Sequence, residues 1–160
     1  MTIEVGEKLP TVDLQLMGAD GVKTISSDDL FTGKKVVLFA LPGAFTPTCS
    51  AKHLPGYVDS SADIFARGVD LIACLSVNDA FVMDAWGKQH KVGEHVMMIA
   101  DGSAHFTRAV GLDLDLDARG MGIRSQRYAM VIDDGVVETL NLEAPAKFEV
   151  SDAQTVLSTL

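Results

Sequence analysis

Residues 34–58 read KKVVLFALPGAFTPTCSAKHLPGYV, and the fold is built around this stretch. Its first part, KKVVLFAL, is an almost continuous apolar run, which is typical of a strand covered on both faces of a parallel sheet. Pro42 and Gly43 then interrupt the strand. A helix is predicted to begin with Thr46 as its N-cap and Pro47 at its first position, where both residue types are favoured. The stretch therefore predicts a strand, a turn and a helix, the repeating unit of an α/β fold.

A second strand and a second helix follow in the same order. Residues 68–78, GVDLIACLSVN, repeat the dense apolar pattern and are predicted to form another central, parallel strand. A helix over residues 48–66 connects the two strands, and residues 79–90 have the spacing of the next helix. The apolar face of this next helix is predicted to consist of Phe81, Val82, Ala85 and Trp86.

The C-terminal part predicts an antiparallel hairpin and a last helix. RYAMVID at 127–133 and VVETLNL at 136–142 flank Asp134 and Gly135, two residues suited to the positive-φ positions of a tight turn. Ser151 is the predicted N-cap of the last helix. The segments together predict an α/β fold in which helices flank a central mixed β-sheet.

Composition and charge exclude several classes of protein. The 160 residues, 48% of them apolar, fit a single domain over residues 1–160. The 13 basic and 22 acidic residues give a net charge of -9, and the scattered basic residues argue against a nucleic-acid partner. No apolar run is long enough to cross a membrane, and MTIEVGEKLP lacks the pattern of a signal peptide, so a cytoplasmic protein without membrane contact is expected.

Cys49, one of only two cysteines, falls in the first turn of the predicted helix. Free backbone N–H groups and the positive end of the helix dipole stabilise a thiolate at that position, and the thiolate is the nucleophilic form. The Thr46 hydroxyl lies on the same side of the turn and is expected to donate to the sulfur or to an oxygen bound beside it. A dithiol motif would have a cysteine where Thr46 stands, so one reactive thiolate is predicted. An inert, partly buried cysteine is the alternative that position alone leaves open.

The stretch PGAFTPTCS at 42–50 resembles the active-site motif of the peroxiredoxins, Pro-x-x-x-Thr-x-x-Cys, in the form typical of the type II or peroxiredoxin-5-like subgroup. The resemblance implies a thioredoxin-like fold and a thiol-dependent peroxidase that reduces hydrogen peroxide and alkyl hydroperoxides. It implies that Cys49 is the peroxidatic cysteine, that Thr46 orients the peroxide, that Pro42 shields the pocket and that Arg127 lies beside the sulfur. The similarity covers nearly the whole chain, because it extends through KHLPGYV, CLSVNDAFVMDAW and GIRSQRYAMVIDDGVV.

The predicted chemistry needs a cation and no metal ion or organic cofactor. A thiolate that breaks an O–O bond leaves charge on the departing oxygen, and an arginine can stabilise that charge. Arg124 competes with Arg127 for this role, but in an extended segment the two point to opposite faces. Arg127 is chosen because it matches the family pattern, which leaves Arg124 as a solvated surface charge. His53 follows Cys49 by one helical turn and is expected to give structural support.

Cys74 lies in the apolar run of the second strand and has two interpretations. Read alone, it is an inert, buried thiol. The resemblance implies a resolving cysteine that condenses with the sulfenic acid of Cys49, because plant and fungal members of the subgroup carry one here. A disulfide would require the helix to unwind over residues 46–52, since its two Cα atoms must approach within about 7 Å.

Partners and two other functions complete the predictions. Glutathione with glutaredoxin, or thioredoxin, is the expected external reductant. The resemblance also implies a homodimer, which would bring together apolar residues of the 43–46 and 79–86 stretches. A peroxide sensor that passes its oxidation to a partner protein, and a catalytically silent thioredoxin-like interaction domain, are the alternatives to a peroxidase.

Overall fold

The computed structural model describes residues 1–160, and it places helices on both faces of a seven-stranded sheet. No helix combines the length and the apolar character that crossing a bilayer requires. The helices are α1 (Ser27–Phe31), α2 (Leu54–Ala66), α3 (Ala80–Gln89), α4 (His105–Ala109) and α5 (Ala153–Thr159), and a π-helical turn, Cys49–His53, leads into α2. The strands are β1 (Asp13–Gly18), β2 (Gly21–Ser26), β3 (Lys35–Ala40), β4 (Leu71–Ser76), β5 (Met97–Ala100), β6 (Asp113–Leu116), β7 (Gly122–Ser125), β8 (Tyr128–Asp133) and β9 (Val136–Leu142).

The large sheet is mixed, as predicted. Its strands run in the order β2-β1-β5-β4-β3-β8-β9, and β6 and β7 pair separately. Strands β3, β4 and β5 are parallel and lie at the centre, while the other pairs of the large sheet are antiparallel. Asp134 and Gly135 have φ values of 50° and 78° at the turn between β8 and β9, which confirms the predicted hairpin.

Two layers of hydrophobic side chains cover the two faces of the sheet. Side chains alternate along a strand, so Val37 and Phe39 of β3 enter one layer while Val36 and Leu38 enter the other. The first layer also receives α2, α3 and α5, whereas the second is closed by α1 and α4. Cys49 and Cys74 both belong to the first layer.

The predicted apolar face of α3 is confirmed for two of its four residues and wrong for the other two: Trp86 is fully buried and Val82 packs against the first layer, whereas the other two face solvent. Phe81 is 69% exposed, and Ala85 is exposed as well. The buried residues of α3 are Ala80, Met83, Trp86 and Gly87. Phe81 and Ala85 also satisfy a helical spacing, and the true orientation is set by close packing: a Cβ on Gly87 would lie 2.8 Å from the side chain of Met98. A short amphipathic segment therefore had more than one acceptable face.

Two further differences concern the ends of the chain. Asp152, and not Ser151, is the N-cap of α5, because its carboxylate accepts the N–H of Thr155 at 3.1 Å. The hydroxyl of Ser151 instead donates to Glu143. The N-terminal hairpin of β1 and β2 was not predicted, because β2 lies at the edge of the sheet and neither strand has a continuous apolar run.

Candidate active site

The site begins where β3 ends and the chain turns into a helix. Helical backbone starts at Pro47, and the carbonyl of Thr46 accepts the N–H of Ser50 at 2.9 Å, so the helix begins at the predicted residue. The Thr46 hydroxyl does not cap a backbone N–H. It donates to the carbonyl of Gly43 at 2.7 Å, and its single proton is therefore directed away from the sulfur.

Cys49 is fully buried at the start of the π-helical turn Cys49–His53. The wider winding is closed by the N–H of Leu54, which donates to the carbonyl of Cys49 five residues before it. Pro55 gives a physical reason for this winding, because it has no N–H to donate to the carbonyl of Ala51 in a regular α-helix. His53, four residues after Cys49, lies on the same side of the helix, and both side chains contact Arg127.

Arg127 contacts the sulfur directly. Its Nη2 lies 3.0 Å from Sγ of Cys49, and its Nη1 lies 2.8 Å from Nδ1 of His53. Strand pairing brings these groups together, because Tyr128 pairs with Ala40 at the end of β3. The ring of Phe148 covers the guanidinium, with Cζ 5.8 Å from the ring centroid.

Arg124 does not reach the sulfur, yet it is not a solvated surface charge, and that part of the prediction is wrong. Its half-buried side chain donates from Nη1 to the carbonyl of Pro42 at 3.2 Å and from Nε to the carbonyl of Met121 at 2.9 Å. The guanidinium packs so closely against Gly43 that a Cβ there would lie 2.7 Å from Nη1. Arg124 therefore holds the turn that contains Pro42, which is half-buried beside the site.

His53 is a buried, neutral imidazole. Burial, reinforced by the positive charge of Arg127, lowers its pKa to about 3, although the Ser151 carbonyl acts in the opposite direction. Arg127 has only N–H groups to offer, so Nδ1 of His53 is the acceptor. The proton is therefore on Nε2, which donates to the carbonyl of Ser151 at 3.1 Å. The imidazole thus supports the guanidinium without adding a second positive charge.

Cys74 lies on β4 and is fully buried, opposite Phe39 of β3. It shares a core layer with Cys49, and both thiols are free. Burial raises the pKa of Cys74 well above its ordinary value, and the neighbouring Cys49 acts in the same direction. Cys74 is therefore a protonated thiol at neutral pH, unlike a reactive nucleophile.

The sequence interpretation missed a loop behind Arg127. Glu143 is buried, and its carboxylate accepts the backbone N–H groups of Glu149, Val150 and Ser151 at 2.8 to 2.9 Å. The same loop carries Phe148 and the Ser151 carbonyl that His53 contacts. No local pattern in the segment NLEAPAKFEVS reveals this arrangement, because a glutamate six to eight residues from its partners has no helical or strand spacing.

The arrangement can stabilise a thiolate and the negative charge that leaves it. One guanidinium faces the sulfur, and a neutral acceptor fixes the other side of that guanidinium. Such a group can accept an electrophile at sulfur and can stabilise an oxyanion formed beside it.

Comparisons with known proteins agree with this geometry. Residues 4–157 match the family model described as Redoxin. The chain is 50% identical to "Peroxiredoxin-2E-2, chloroplastic" from Oryza sativa subsp. japonica, over 99% of this chain and 73% of the relative. It is 45% identical to "Peroxiredoxin-2B" from Arabidopsis thaliana, over 99% and 98% of the two chains. The crystal structure of reduced Prx3 from Vibrio vulnificus in complex with H2O2 superposes with a TM-score of 0.96 at 54% identity, covering 99% of each chain.

Proposed function

Because this chain belongs to the redoxin family and is a peroxiredoxin of the type II subgroup, a thiol-dependent peroxidase, we propose that Cys49 is the residue that attacks the peroxide. One observation carries this assignment: Nη2 of Arg127 lies 3.0 Å from Sγ of Cys49. A fixed cation in a buried site stabilises the thiolate over the thiol. Cys74 has no cation in hydrogen-bond contact and is buried as a thiol.

The proposed reaction is an in-line displacement at oxygen. The Cys49 thiolate attacks the terminal oxygen of R–O–O–H, and an S–O bond forms while the O–O bond breaks. The sulfur loses two electrons and becomes a sulfenic acid, while the leaving RO⁻ takes a proton and departs as an alcohol, or as water when the substrate is hydrogen peroxide. Arg127 stabilises the charge on the sulfur before attack and on the oxygen during bond breaking.

Thr46 and Pro42 complete the proposed peroxide pocket. The Thr46 hydroxyl donates its proton to Gly43, so its oxygen is free to accept the O–H of a bound hydroperoxide. This role replaces the expected donation to the sulfur. Pro42 is proposed to shield the pocket from water, and its carbonyl is held by Arg124.

An external thiol is proposed to reduce the sulfenic acid. Glutathione with glutaredoxin, or thioredoxin, would displace water to form a mixed disulfide, and a second thiol would release Cys49. A Cys49–Cys74 disulfide is the other route. It would require Cys74 to leave a fully buried strand position, and residues 46–52 to unwind, so the external route is the one we favour.

The test is peroxide turnover by the wild type, Cys49→Ser and Cys74→Ser, each with thioredoxin and with glutathione plus glutaredoxin. We expect Cys49→Ser to lose all turnover and Cys74→Ser to keep it with at least one reductant. Loss of turnover in Cys74→Ser with both systems would reject the external route and favour the internal disulfide. Full activity of Cys49→Ser would reject the assignment of the nucleophile. Turnover with a small thiol also separates a peroxidase from a sensor that oxidises only a partner protein.

A homodimer is proposed on the surface next to the site. Phe45 and Phe81 are 50% and 69% exposed, and the ring of Phe45 lies 6.4 Å from that of Trp86. Large exposed aromatic residues are typical of interfaces. Phe81→Glu should shift the species seen by analytical ultracentrifugation from dimer to monomer, and an unchanged mass would reject this surface.

Cytoplasmic location also stays a prediction, since one of the curated relatives is a chloroplastic protein.

A further inference from the structure

We propose that Glu143 is a positioning residue for the peroxidase reaction, and that it acts on Arg127 through the loop 144–151. This inference rests on the function proposed above, because it takes the contact between Arg127 and Cys49 as the reactive arrangement. The mechanism as described does not use Glu143, although its carboxylate is buried and carries a dense set of hydrogen bonds.

The carboxylate of Glu143 organises the end of the loop. Its Oε2 accepts the backbone N–H groups of Glu149, Val150 and Ser151, each at 2.8 to 2.9 Å, and the Ser151 hydroxyl at 2.7 Å. Burial works against ionisation, yet the hydroxyl and the three N–H groups outweigh it and hold the pKa of Glu143 below its usual value. Glu143 is therefore a carboxylate at neutral pH, and only an anion satisfies so many donors at once.

The fixed loop then reaches Arg127 by two routes. The Ser151 carbonyl accepts Nε2–H of His53 at 3.1 Å, and this contact leaves Nδ1 of His53 to accept Nη1 of Arg127 at 2.8 Å. Phe148 gives the second route, because its ring lies 5.0 Å from the imidazole and 5.8 Å from the guanidinium carbon. Both routes end on the group that contacts the sulfur.

The backbone adds a third connection. The N–H of Glu143 donates to the carbonyl of Arg127 at 3.0 Å, directly after the pairing of β8 with β9. Glu143 is therefore anchored to the main chain of the residue whose side chain it supports. A reaction becomes slower when a catalytic group is misplaced by as little as about 1 Å. Loosening the loop should therefore lower the reaction rate without removing any reacting group.

The test is the Glu143→Gln variant, which keeps the size of the side chain but loses the charge and turns one oxygen into a donor. We expect the second-order rate of peroxide reduction to fall about ten- to a hundred-fold. The rate of Cys49 alkylation by iodoacetamide at pH 7 should also fall, which a purely structural role would not produce in a folded protein. Glu138→Gln is the matched control: the same change at an exposed carboxylate on β9, with an expected wild-type rate.

A double-mutant cycle shows whether the effect passes through Arg127. In the Arg127→Lys background the placement of the guanidinium is already lost, so Glu143→Gln should change the residual rate less than two-fold. An unchanged rate of Glu143→Gln in the wild-type background would overturn the inference, and so would equal losses in both backgrounds. Retained activity of Cys49→Ser would instead overturn the proposed function.

Ser151→Ala provides the second measurement if Glu143→Gln does not fold. It removes the hydroxyl that donates to Glu143 and keeps the carbonyl that His53 contacts. We expect the rate of peroxide reduction to fall about three-fold, a change that corresponds to the loss of one hydrogen bond. We expect no decrease in the Arg127→Lys background. A wild-type rate for Ser151→Ala would count against the inference.

Discussion

Arg127 lies between the sulfur of Cys49 and the imidazole of His53. The imidazole must stay uncharged for this arrangement to work. If His53 were protonated, two cations would face each other and Arg127 would lose its acceptor. Burial keeps His53 neutral, with a pKa of about 3, and so leaves the whole positive charge of Arg127 for Cys49. Because of this arrangement, the protein is expected to be less stable in acid.

The free energy of unfolding should decrease as the pH falls below about 6.5. The pKa of His53 is about 3 in the folded protein and 6.5 in its reference state, so between these values the unfolded chain binds a proton that the folded one excludes. The loss approaches about 1.4 kcal/mol per pH unit. Urea unfolding at pH 7.5, 6 and 5 measures it. His53→Gln should show a shallower slope, whereas His105→Gln, at an exposed position, should keep the wild-type slope.

Replacement by phenylalanine is expected to affect the two buried tyrosines, Tyr57 and Tyr128, differently. The Tyr57 hydroxyl donates to the Ser151 carbonyl at 2.7 Å, whereas the fully buried Tyr128 hydroxyl has no hydrogen-bond partner in the protein. Tyr57→Phe should therefore lower the free energy of unfolding by about 1 kcal/mol, and Tyr128→Phe should leave it unchanged or raise it. Chemical denaturation of both variants is the measurement, and an equal loss in both would contradict the account.

The helix that carries Cys49 is irregular at the proposed reaction site and regular beyond it. Its π-helical turn ends at His53, and α2 continues to Ala66 with Leu54, Tyr57 and Ile64 in the core. Helix α5 packs on α2 from the C-terminus and starts directly after the loop that Glu143 holds. The start of α5 thus belongs to the support of the site.

The N-cap of α5 gives a test of this element. Asp152 accepts the N–H and the hydroxyl of Thr155 at 3.1 and 2.6 Å. Asp152→Ala should lower the free energy of unfolding by about 1 kcal/mol, while Asp152→Asn keeps an acceptor and should lose less. Thermal or urea unfolding measures both variants, and an Asp152→Ala variant as stable as the wild type would show that the cap contributes nothing.

The central sheet connects the segments that form the site. Cys49 and Cys74 lie in the layer covered by α2, α3 and α5, and the strand pairs β3–β4 and β3–β8 cross the middle of the molecule. Because one sheet supports both hydrophobic layers, we predict that residues 1–160 unfold as a single domain.

A single cooperative transition is the expected outcome of that prediction. Trp86, the only tryptophan, is fully buried in the first layer, so its fluorescence reports on tertiary packing. Urea transitions followed by this fluorescence and by far-UV circular dichroism should coincide. Two separated midpoints would indicate domains or subdomains that unfold independently.

Local patterns were sufficient for much of the fold. The apolar runs of β3 and β4, the turn at Asp134 and Gly135, and the helix start at Thr46 each depend on residues close in sequence, and the structure has all of them. The position of Cys49 in the first helical turn follows from the same local rules. The family resemblance then supplied the chemistry.

Contacts between distant residues were settled only in the folded chain. Arg127 reaches Cys49 across 78 positions because β8 pairs with β3, and neither residue carries a local signal of that pairing. The buried face of α3, the role of Arg124 and the loop held by Glu143 have the same origin. The spacing of apolar residues along a chain limits which faces of a helix or strand can be buried. Packing against other elements selects one of these faces, because burial and hydrogen bonding are satisfied only when the whole sheet is assembled.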